Sequence, residues 1–250
     1  PCHTAGDYSF EGETVNSVNS AVCGQCHSRG VQFKDSEHIR TSFNFPIDYK
    51  PGQELPADFN QTRQHGDKKG KYWWGVGLSK KRHQEFADFN LSGHSKSLRN
   101  LLESRSNKLG EKSAACLQCH SADYRLFPEA RRPDLETAKH GITCVVCHDP
   151  HRLIPEAHER NQPDELCGTC HAALLAAEAV EHGKGHYPCP TVQVSCPDCH
   201  MPYIVKTGGG YHLRSHAFRI VRPQDTRGLK MPNSCQNGGC HADRSLEWAE

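Results

Sequence analysis

The clearest helical pattern of apolar and polar positions extends from residue 79 to residue 104. Ser79 is suited to the N-cap position, and leucines at helical spacing form an apolar stripe towards the C-terminal end. Asn90 and Gly93 are weak helix formers within this stretch. The pattern therefore predicts one helix over residues 79–104 that is weakened near its middle.

Weaker signals occur towards the C-terminus. Residues 164–181 contain an alanine- and leucine-rich run that ends before Gly183, which predicts a second helix. Residues 243–249 predict a short final helix. The glycines of residues 208–210 predict a turn and not a phosphate-binding loop, because no strand-to-helix context surrounds them.

Apolar residues are scarce for a chain of 250 residues. The hydrophobic fraction is 35% and the mean hydropathy is -0.75, so an ordinary apolar core would be thin. No run of eighteen apolar residues occurs, and no membrane span is predicted. The balance of 30 basic and 29 acidic side chains argues against a nucleic-acid partner, which would favour a clearly basic face.

Cysteine and histidine carry the strongest chemical signal, with 14 and 18 residues respectively. Two cysteines three positions apart and a histidine directly after the second, as in Cys144, Cys147 and His148, are what covalent attachment of a c-type haem needs. The thiols add to the vinyl groups of the porphyrin, and the histidine supplies the proximal ligand to iron. The same unit recurs at Cys23-Cys26-His27, Cys116-Cys119-His120, Cys167-Cys170-His171 and Cys196-Cys199-His200.

Two more units depart from this spacing. Four residues separate Cys235 from Cys240, which precedes His241, and the glycines between them can bow outward. Cys2 and His3 resemble the second half of a seventh unit, which indicates a processed product or a fragment. We expect seven haems, or six if the Cys2 and His3 unit is empty.

Zinc binding and a redox cysteine pair are the alternatives for an isolated pair of cysteines at this spacing. Neither needs a histidine immediately after the second cysteine, yet each of the six complete units has one. A zinc-rich binding module is therefore disfavoured. Attachment of haem in this way is completed outside the cytoplasmic membrane, which predicts a periplasmic or extracellular protein.

Porphyrins would also supply the missing apolar surface, so we expect the chain without haem to be largely unfolded. Residues 31–78 contain no attachment unit and are rich in turn formers, and we expect no helix or strand in them. This segment is a surface loop or, given its aromatic residues, a cover for haem faces. The aromatic residues are Phe43, Phe45, Tyr49, Phe59, Tyr72, Trp73 and Trp74.

Eleven histidines remain after the proximal ones are assigned, enough for a second imidazole on each of seven irons. His83 and His94 are eleven residues apart, so the predicted helix would place them on one face, roughly 16 Å apart along its axis. Irons closed by two imidazoles favour electron transfer over substrate chemistry. The alternative is an oxidoreductase in which one open haem reduces a small nitrogen or sulfur oxyanion. No cysteine is followed by the lysine that multihaem nitrite and tetrathionate reductases usually have at the active-site unit.

Most of the chain, especially from residue 79 onward, resembles the multihaem cytochromes c of the cytochrome c554-like group. The resemblance is carried by residues 73–75, 83–86, 92–94, 140–151, 196–202, 215–219, 231–235 and 240–244 and by Trp248. It implies that His83, His94, His140, His151 and His216 are distal ligands. It also implies that one of His182 and His186 is a distal ligand, and we choose His182. We assign His38 as the seventh distal ligand, with His65 as the alternative.

Cys2 and Cys189 are left after the twelve cysteines of the complete units are assigned. They could form a disulfide, both could hold the haem of His3, or Cys2 alone could hold it. The adjacency of Cys2 and His3 favours a haem there, and Cys189 has no assigned role.

The sequence predicts a mainly α fold with extensive coil and little or no sheet. We expect one multihaem domain over residues 1–250, with few haems in residues 1–115 and many in residues 116–250. The expected function is electron transfer along closely packed bis-histidine c-type haems, without catalysis. Other redox proteins or extracellular electron acceptors are the expected partners. Because proximal histidines begin at His3 and end at His241, a haem near each terminus could also allow head-to-tail self-association into a filament, in which His38 or His65 could ligate a neighbour's iron.

Overall fold

The structure is a computed structural model. It describes residues 7–10, 13–16, 18–36, 39–50, 52–149, 162–175, 195–237 and 241–249. All statements about the fold refer to these residues.

The described helices are short and are separated by coil, as the sequence predicts. In chain order they are α1 (Ala21–His27), α2 (Glu85–Leu91), α3 (Ser97–Glu103), α4 (Arg105–Lys108), α5 (Leu117–His120), α6 (Ala122–Leu126), α7 (Cys144–Cys147), α8 (Pro163–Leu175), α9 (Cys196–His200), α10 (Pro223–Leu229), α11 (Ser234–Asn237) and α12 (Leu246–Ala249). Single turns of 3₁₀ helix lie at Gln64–Gly66, Ala114–Cys116 and Glu129–Arg131.

Local capping explains where several helices begin. The Ser195 and Asp198 side chains form a reciprocal capping box at the start of α9. The Ser121 hydroxyl accepts a hydrogen bond from the Tyr124 N–H at the start of α6. Helix α8 covers the first part of the helix predicted over residues 164–181, and the rest of that prediction lies outside the described residues. The final helix is four residues long.

Seven short strands form three small antiparallel sheets in the described residues, so the expectation of little or no sheet is not confirmed. The sheets are β1 (Asp7–Phe10) with β2 (Glu13–Asn16), β3 (Gly30–Ser36) between β4 (Ile39–Phe43) and β5 (Asn60–Gln61), and β6 (Tyr203–Thr207) with β7 (Gly210–Arg214). Gly208, with φ of 59°, turns the chain between β6 and β7, which confirms the predicted turn.

The expectation that residues 31–78 have no strand is wrong. Strands β3 and β4 form a hairpin in the first half of this segment, and β5 in its second half pairs with β3. The side chains of β3 and β4 are mostly exposed, so apolar alternation does not mark these strands. The turn formers and glycines connect the strands and the 3₁₀ turn. Phe59, Trp73 and Trp74 are buried, whereas 54% of Phe45 is exposed.

The single helix predicted over residues 79–104 is also wrong, because α2 and α3 occupy its place. Ser92 donates a hydrogen bond from its hydroxyl to the Phe89 carbonyl at 2.6 Å, and Ser95 donates one to the Asn90 carbonyl at 3.0 Å. In a continuing helix these carbonyl groups would accept hydrogen bonds from backbone N–H groups, so the serine hydroxyls compete with the helix. His83 precedes α2 with φ of 65°, so His83 and His94 do not share a helical face.

The buried apolar side chains of the described residues form small clusters and no single large core. One cluster joins Trp74 and Leu78 to Ile204, Val221 and Met231. A second contains apolar side chains of α6 and α7, and a third joins α3 to Leu117. This subdivision agrees with the thin core expected from composition.

Candidate functional site

Each of the five units with the regular spacing lies on a helical turn. The cysteines and histidines are carried by α1, by the 3₁₀ turn that leads into α5, by α7, by α8 and by α9, with His148 directly after α7. One helical turn places side chains three and four positions apart on the same face. The two thiols and the imidazole of a unit are therefore presented together, as attachment of one porphyrin requires. Among the described cysteines the structure contains no disulfide.

Two predicted distal ligands lie opposite predicted proximal ligands. The ring centroids of His148 and His216 are 6.0 Å apart, and those of His94 and His171 are also 6.0 Å apart. Two imidazoles bound on opposite faces of one metal, at about 2.0 Å per bond, have ring centres roughly 6 Å apart. Both pairs therefore have the separation that a shared iron needs.

The environments of these imidazoles favour their neutral form, which is the form that binds a metal. Burial lowers the pKa of His94, and the nearby His171 lowers it further. Burial likewise lowers the pKa of His216. The buried Nδ1 atom of His94 has no hydrogen-bond partner among the described residues.

Hydrogen bonds at Nδ1 orient other predicted ligands. Backbone carbonyl groups lie at 2.9 Å from Nδ1 of His120, at 3.2 Å from Nδ1 of His216 and at 3.2 Å from Nδ1 of His83. A ring that donates from Nδ1 to a carbonyl keeps Nε2 as a metal ligand in a fixed direction. The residues present thus fit c-type haem.

Neighbouring units contact one another through their thiols. The Cys23 side chain lies beside Cys144 and, with the Ser20 hydroxyl, lowers the pKa of Cys144 to about 7 against the effect of burial. Cys119 likewise lies beside Cys170. Cys196 lies beside Cys167.

Two further contacts extend this set. Helix α9 packs against α11, where the Ser234 hydroxyl donates a hydrogen bond to the Cys199 carbonyl at 2.8 Å. Phe218, with φ of 52°, lies with its ring centroid 4.4 Å from that of His94 and 6.4 Å from that of His216. It therefore separates the two pairs of facing histidines.

Three acidic residues that sequence reasoning missed contact a predicted distal histidine or the residue beside one. Asp88 in α2 is fully buried and accepts hydrogen bonds from Ser79 and from Ser215, which directly precedes His216. Glu85 accepts one from the His83 N–H at 3.1 Å. Asp123 in α6 accepts hydrogen bonds from the N–H groups of Lys139 and His140, at 2.9 and 2.8 Å respectively.

Burial raises the pKa of Asp88 to about 6, although its hydrogen bonds from Ser79 and Ser215 favour the carboxylate. The only sequence signal for this residue is an acid between Phe86 and Phe89 in a helical pattern. Glu85 also approaches Nδ1 of His27 at 3.3 Å. That contact raises the pKa of His27.

The structure does not bring every predicted ligand to a described partner imidazole. No ring contact with another histidine is observed in the described residues for His27, His83, His120 or His140, and His241 packs on Trp248 with centroids 4.4 Å apart. Several predicted site residues lie outside the described residues: Cys2, His3, His38, His151, His182 and Cys240, together with the alternative His186 and the unassigned Cys189. His65, the alternative to His38, is described and exposed. The ligand assignments remain predictions.

Comparison with solved structures gives a class of protein. The chain is similar to the crystal structure of the outer cell wall cytochrome OcwA, with a TM-score of 0.75 and 31% sequence identity over 95% of this chain and 51% of that chain. It spans about half the length of that cytochrome. This similarity and the attachment units together support a multihaem cytochrome.

A second solved structure, the undecahaem cytochrome from the S-layer of Carboxydothermus ferrireducens, aligns over 95% of this chain and 46% of that chain, with a TM-score of 0.43 and 20% identity. A scan against protein-family models found no match, and a search of curated proteins found none. No helix in the described part of the chain is long and apolar enough to cross a membrane.

Proposed function

We propose that this chain transfers electrons along an array of closely packed c-type haems whose irons are closed by two histidines. Haem, when bound, supplies one-electron chemistry at iron. The residues hold it by two thioether bonds and a proximal imidazole in each unit. A second imidazole, such as that of His216 or His94, closes the other face.

One observation carries this proposal: the attachment units contact one another. The unit of Cys23 contacts that of Cys144, and the units of Cys119 and Cys196 both contact the unit that contains Cys167 and Cys170. Groups attached to adjoining units must themselves lie close together.

Sparse reduction of the oxidised holoprotein tests this function. A pulse of radiolytically generated reductant delivers less than one electron per chain, and absorbance then follows its redistribution among haems. We expect redistribution at a rate that is independent of protein concentration. A rate proportional to protein concentration would show that electrons move only between molecules and would contradict the proposal.

The alternative, a reductase of a nitrogen or sulfur oxyanion, is tested on the same material. Nitrite or tetrathionate is added to fully reduced protein with excess reductant, and turnover is measured. We expect no multiple turnover. Repeated turnover that disappears after removal of the haem iron would favour the reductase.

We also propose a location outside the cytoplasmic membrane, with redox proteins or extracellular acceptors as partners. Haem attachment to paired cysteines and the likeness to a cytochrome of an outer cell wall support this location. Fractionation of the native organism with antibodies against this chain tests it. Recovery in the cytoplasmic fraction would contradict it.

Head-to-tail assembly of copies is a further proposal. The β3–β4 hairpin exposes 41% of Phe33 and 67% of Ile39, and Phe45 beside it is 54% exposed. Such a surface could be covered by another copy, and a heterologous contact of this kind produces open filaments unless it closes a ring. Light scattering and negative-stain microscopy test it. Particles of one chain's mass at high concentration would contradict assembly.

A further inference from the structure

The distal-histidine segments share a feature that the attachment motifs do not encode. Three of the four predicted distal histidines in the described residues, namely His83, His140 and His216, are held through their segment by an acidic side chain. His83 and His140 donate their backbone N–H to the acid, and beside His216 the Ser215 hydroxyl donates to it. The acids are Glu85, Asp123 and Asp88 respectively, and we call them the carboxylate anchors. Glu85 and Asp88 belong to α2 and Asp123 belongs to α6, so the recurrence does not follow from one local turn.

Asp88 makes the most extensive set of contacts. Its Oδ1 accepts the Ser79 N–H at 2.9 Å, and its Oδ2 accepts the hydroxyl groups of Ser79 at 2.7 Å and Ser215 at 3.0 Å. Asp88 and Ser215 are both fully buried, although 127 residues separate them. One carboxylate thus joins α2 to the segment that carries His216.

The contacts around His216 restrict its ring as well as its backbone. The Nδ1 atom lies 3.2 Å from the Arg214 carbonyl, and the ring faces that of His148. Ser215 also accepts the Ala217 N–H at 3.3 Å. Loss of Asp88 would therefore release the backbone on which the imidazole stands, while leaving the proximal side at His148 in place.

Asp123 repeats the arrangement at another unit. It lies three residues after His120, is 3% exposed, and its Oδ2 accepts the N–H groups of Lys139 and His140. Helix α6, which carries Asp123, directly follows the attachment unit that ends at His120. Through Asp123 it binds the backbone just before the next unit, which begins at Cys144. The two buried acids thus act on two separate histidines.

We propose that the carboxylate anchors are positioning residues that hold the distal histidines against their irons. They do not touch the reacting centre themselves. This inference rests on the proposed function, because it takes His216 and His140 to be iron ligands. It adds that His216 and His140 depend on acids that lie outside their own segments of the chain. The interaction requires an acceptor oxygen at the backbone N–H or at the neighbouring hydroxyl, so it does not depend on a change of protonation.

The test uses holoprotein variants D88A, D88N and H216A, with Gln32→Ala as the matched control. Gln32 is also fully buried. It accepts a hydrogen bond from the Ile47 N–H at 2.8 Å and donates one to the Asp58 carboxylate, but it contacts no predicted ligand. A pyridine haemochrome assay first establishes equal haem content. Carbon monoxide bound per reduced chain then counts open irons, and electron paramagnetic resonance of the oxidised protein identifies the high-spin haem.

We expect H216A to open one iron and D88A to open the same iron in a substantial fraction of molecules. D88N retains an acceptor oxygen and should restore most of the closed form. The double variant should open no more than one iron, because both changes act on one ligand. Gln32→Ala should lower thermal stability and open none.

Each failure has a separate meaning. If H216A opens an iron and D88A does not, Asp88 has no positioning role, although His216 remains a ligand. If H216A opens none, the ligand assignment fails, and the positioning role fails with it. Opening by Gln32→Ala would show that general destabilisation is sufficient and would overturn the proposal. If D88A does not accumulate, Ser215→Ala and D123A provide the same comparison, the latter against H140A.

Discussion

The imidazole rings of His148 and His216 face each other with centroids 6.0 Å apart and an interplanar angle of 36°. His148 follows a pair of cysteines in α7, whereas His216 lies 68 positions later, just beyond β7. The fold therefore brings a proximal candidate and a distal candidate to the separation at which one iron could bind both.

Replacement of a distal candidate should open one iron. We expect His216→Ala, His94→Ala and His140→Ala each to convert one haem to high spin and leave the others low spin, because each removes one iron bond. Visible and paramagnetic resonance spectra measure this. Exposed His65, replaced by alanine, is the control and should leave the spectra unchanged. If two of the three variants match the native spectra, the ligand assignment is mistaken.

The haem content of the chain should equal its number of attachment units. A pyridine haemochrome assay should give seven haems per chain, or six if Cys2 and His3 hold none. The stretched unit of Cys235 and Cys240 is included in this count. Five or fewer would show that its longer spacer does not permit attachment.

Gly30 should tolerate no side chain. A Cβ there would lie 2.5 Å from the Asn60 carbonyl oxygen and 2.6 Å from the Phe59 ring, where β3 meets β5. We expect Gly30→Ala to lower the free energy of unfolding by about 1–3 kcal/mol, the usual cost of overpacking. Thermal denaturation measures the change. Gly66→Ala, with open space around its Cβ, should be near neutral, and equal effects would contradict the packing argument.

Without haem the chain should be largely unfolded. The described apolar clusters are small, and two of them include residues of attachment units, so haem would supply much of the missing apolar surface. Expression of the chain without the attachment machinery, followed by hydrogen exchange, tests this. Protected backbone amides throughout α2 and α3 in the haem-free chain would contradict it.

The sequence predicted the attachment units because their chemistry is local: two thiols and an imidazole must lie within one helical turn. It also predicted the turn at Gly208 and part of α8. The strands of the β3–β4 hairpin are mostly exposed and show little apolar alternation, and β5 pairs with β3 from a distant part of the chain. The break between α2 and α3 depends on hydroxyls of Ser92 and Ser95 that compete for carbonyl groups. Such competition leaves little trace in hydrophobic periodicity.

The carboxylate anchors were missed for a related reason. Asp88 stands in a helical pattern between two phenylalanines, where an acid is usually assigned to solvent. Its role depends on Ser215, a residue more than a hundred positions away. Proximal histidines can be identified from adjacency to cysteine, but the residues that hold distal histidines become visible only in the folded chain.

The electronic spectrum of the oxidised native protein at neutral pH, recorded with its paramagnetic resonance spectrum, tests the central claim most directly. An array of bis-histidine c-type haems predicts a Soret band and low-spin signals that account for all the haem. A high-spin signal equivalent to one haem per chain would contradict closure of every iron by two histidines. Absence of a Soret band would contradict the haem assignment itself.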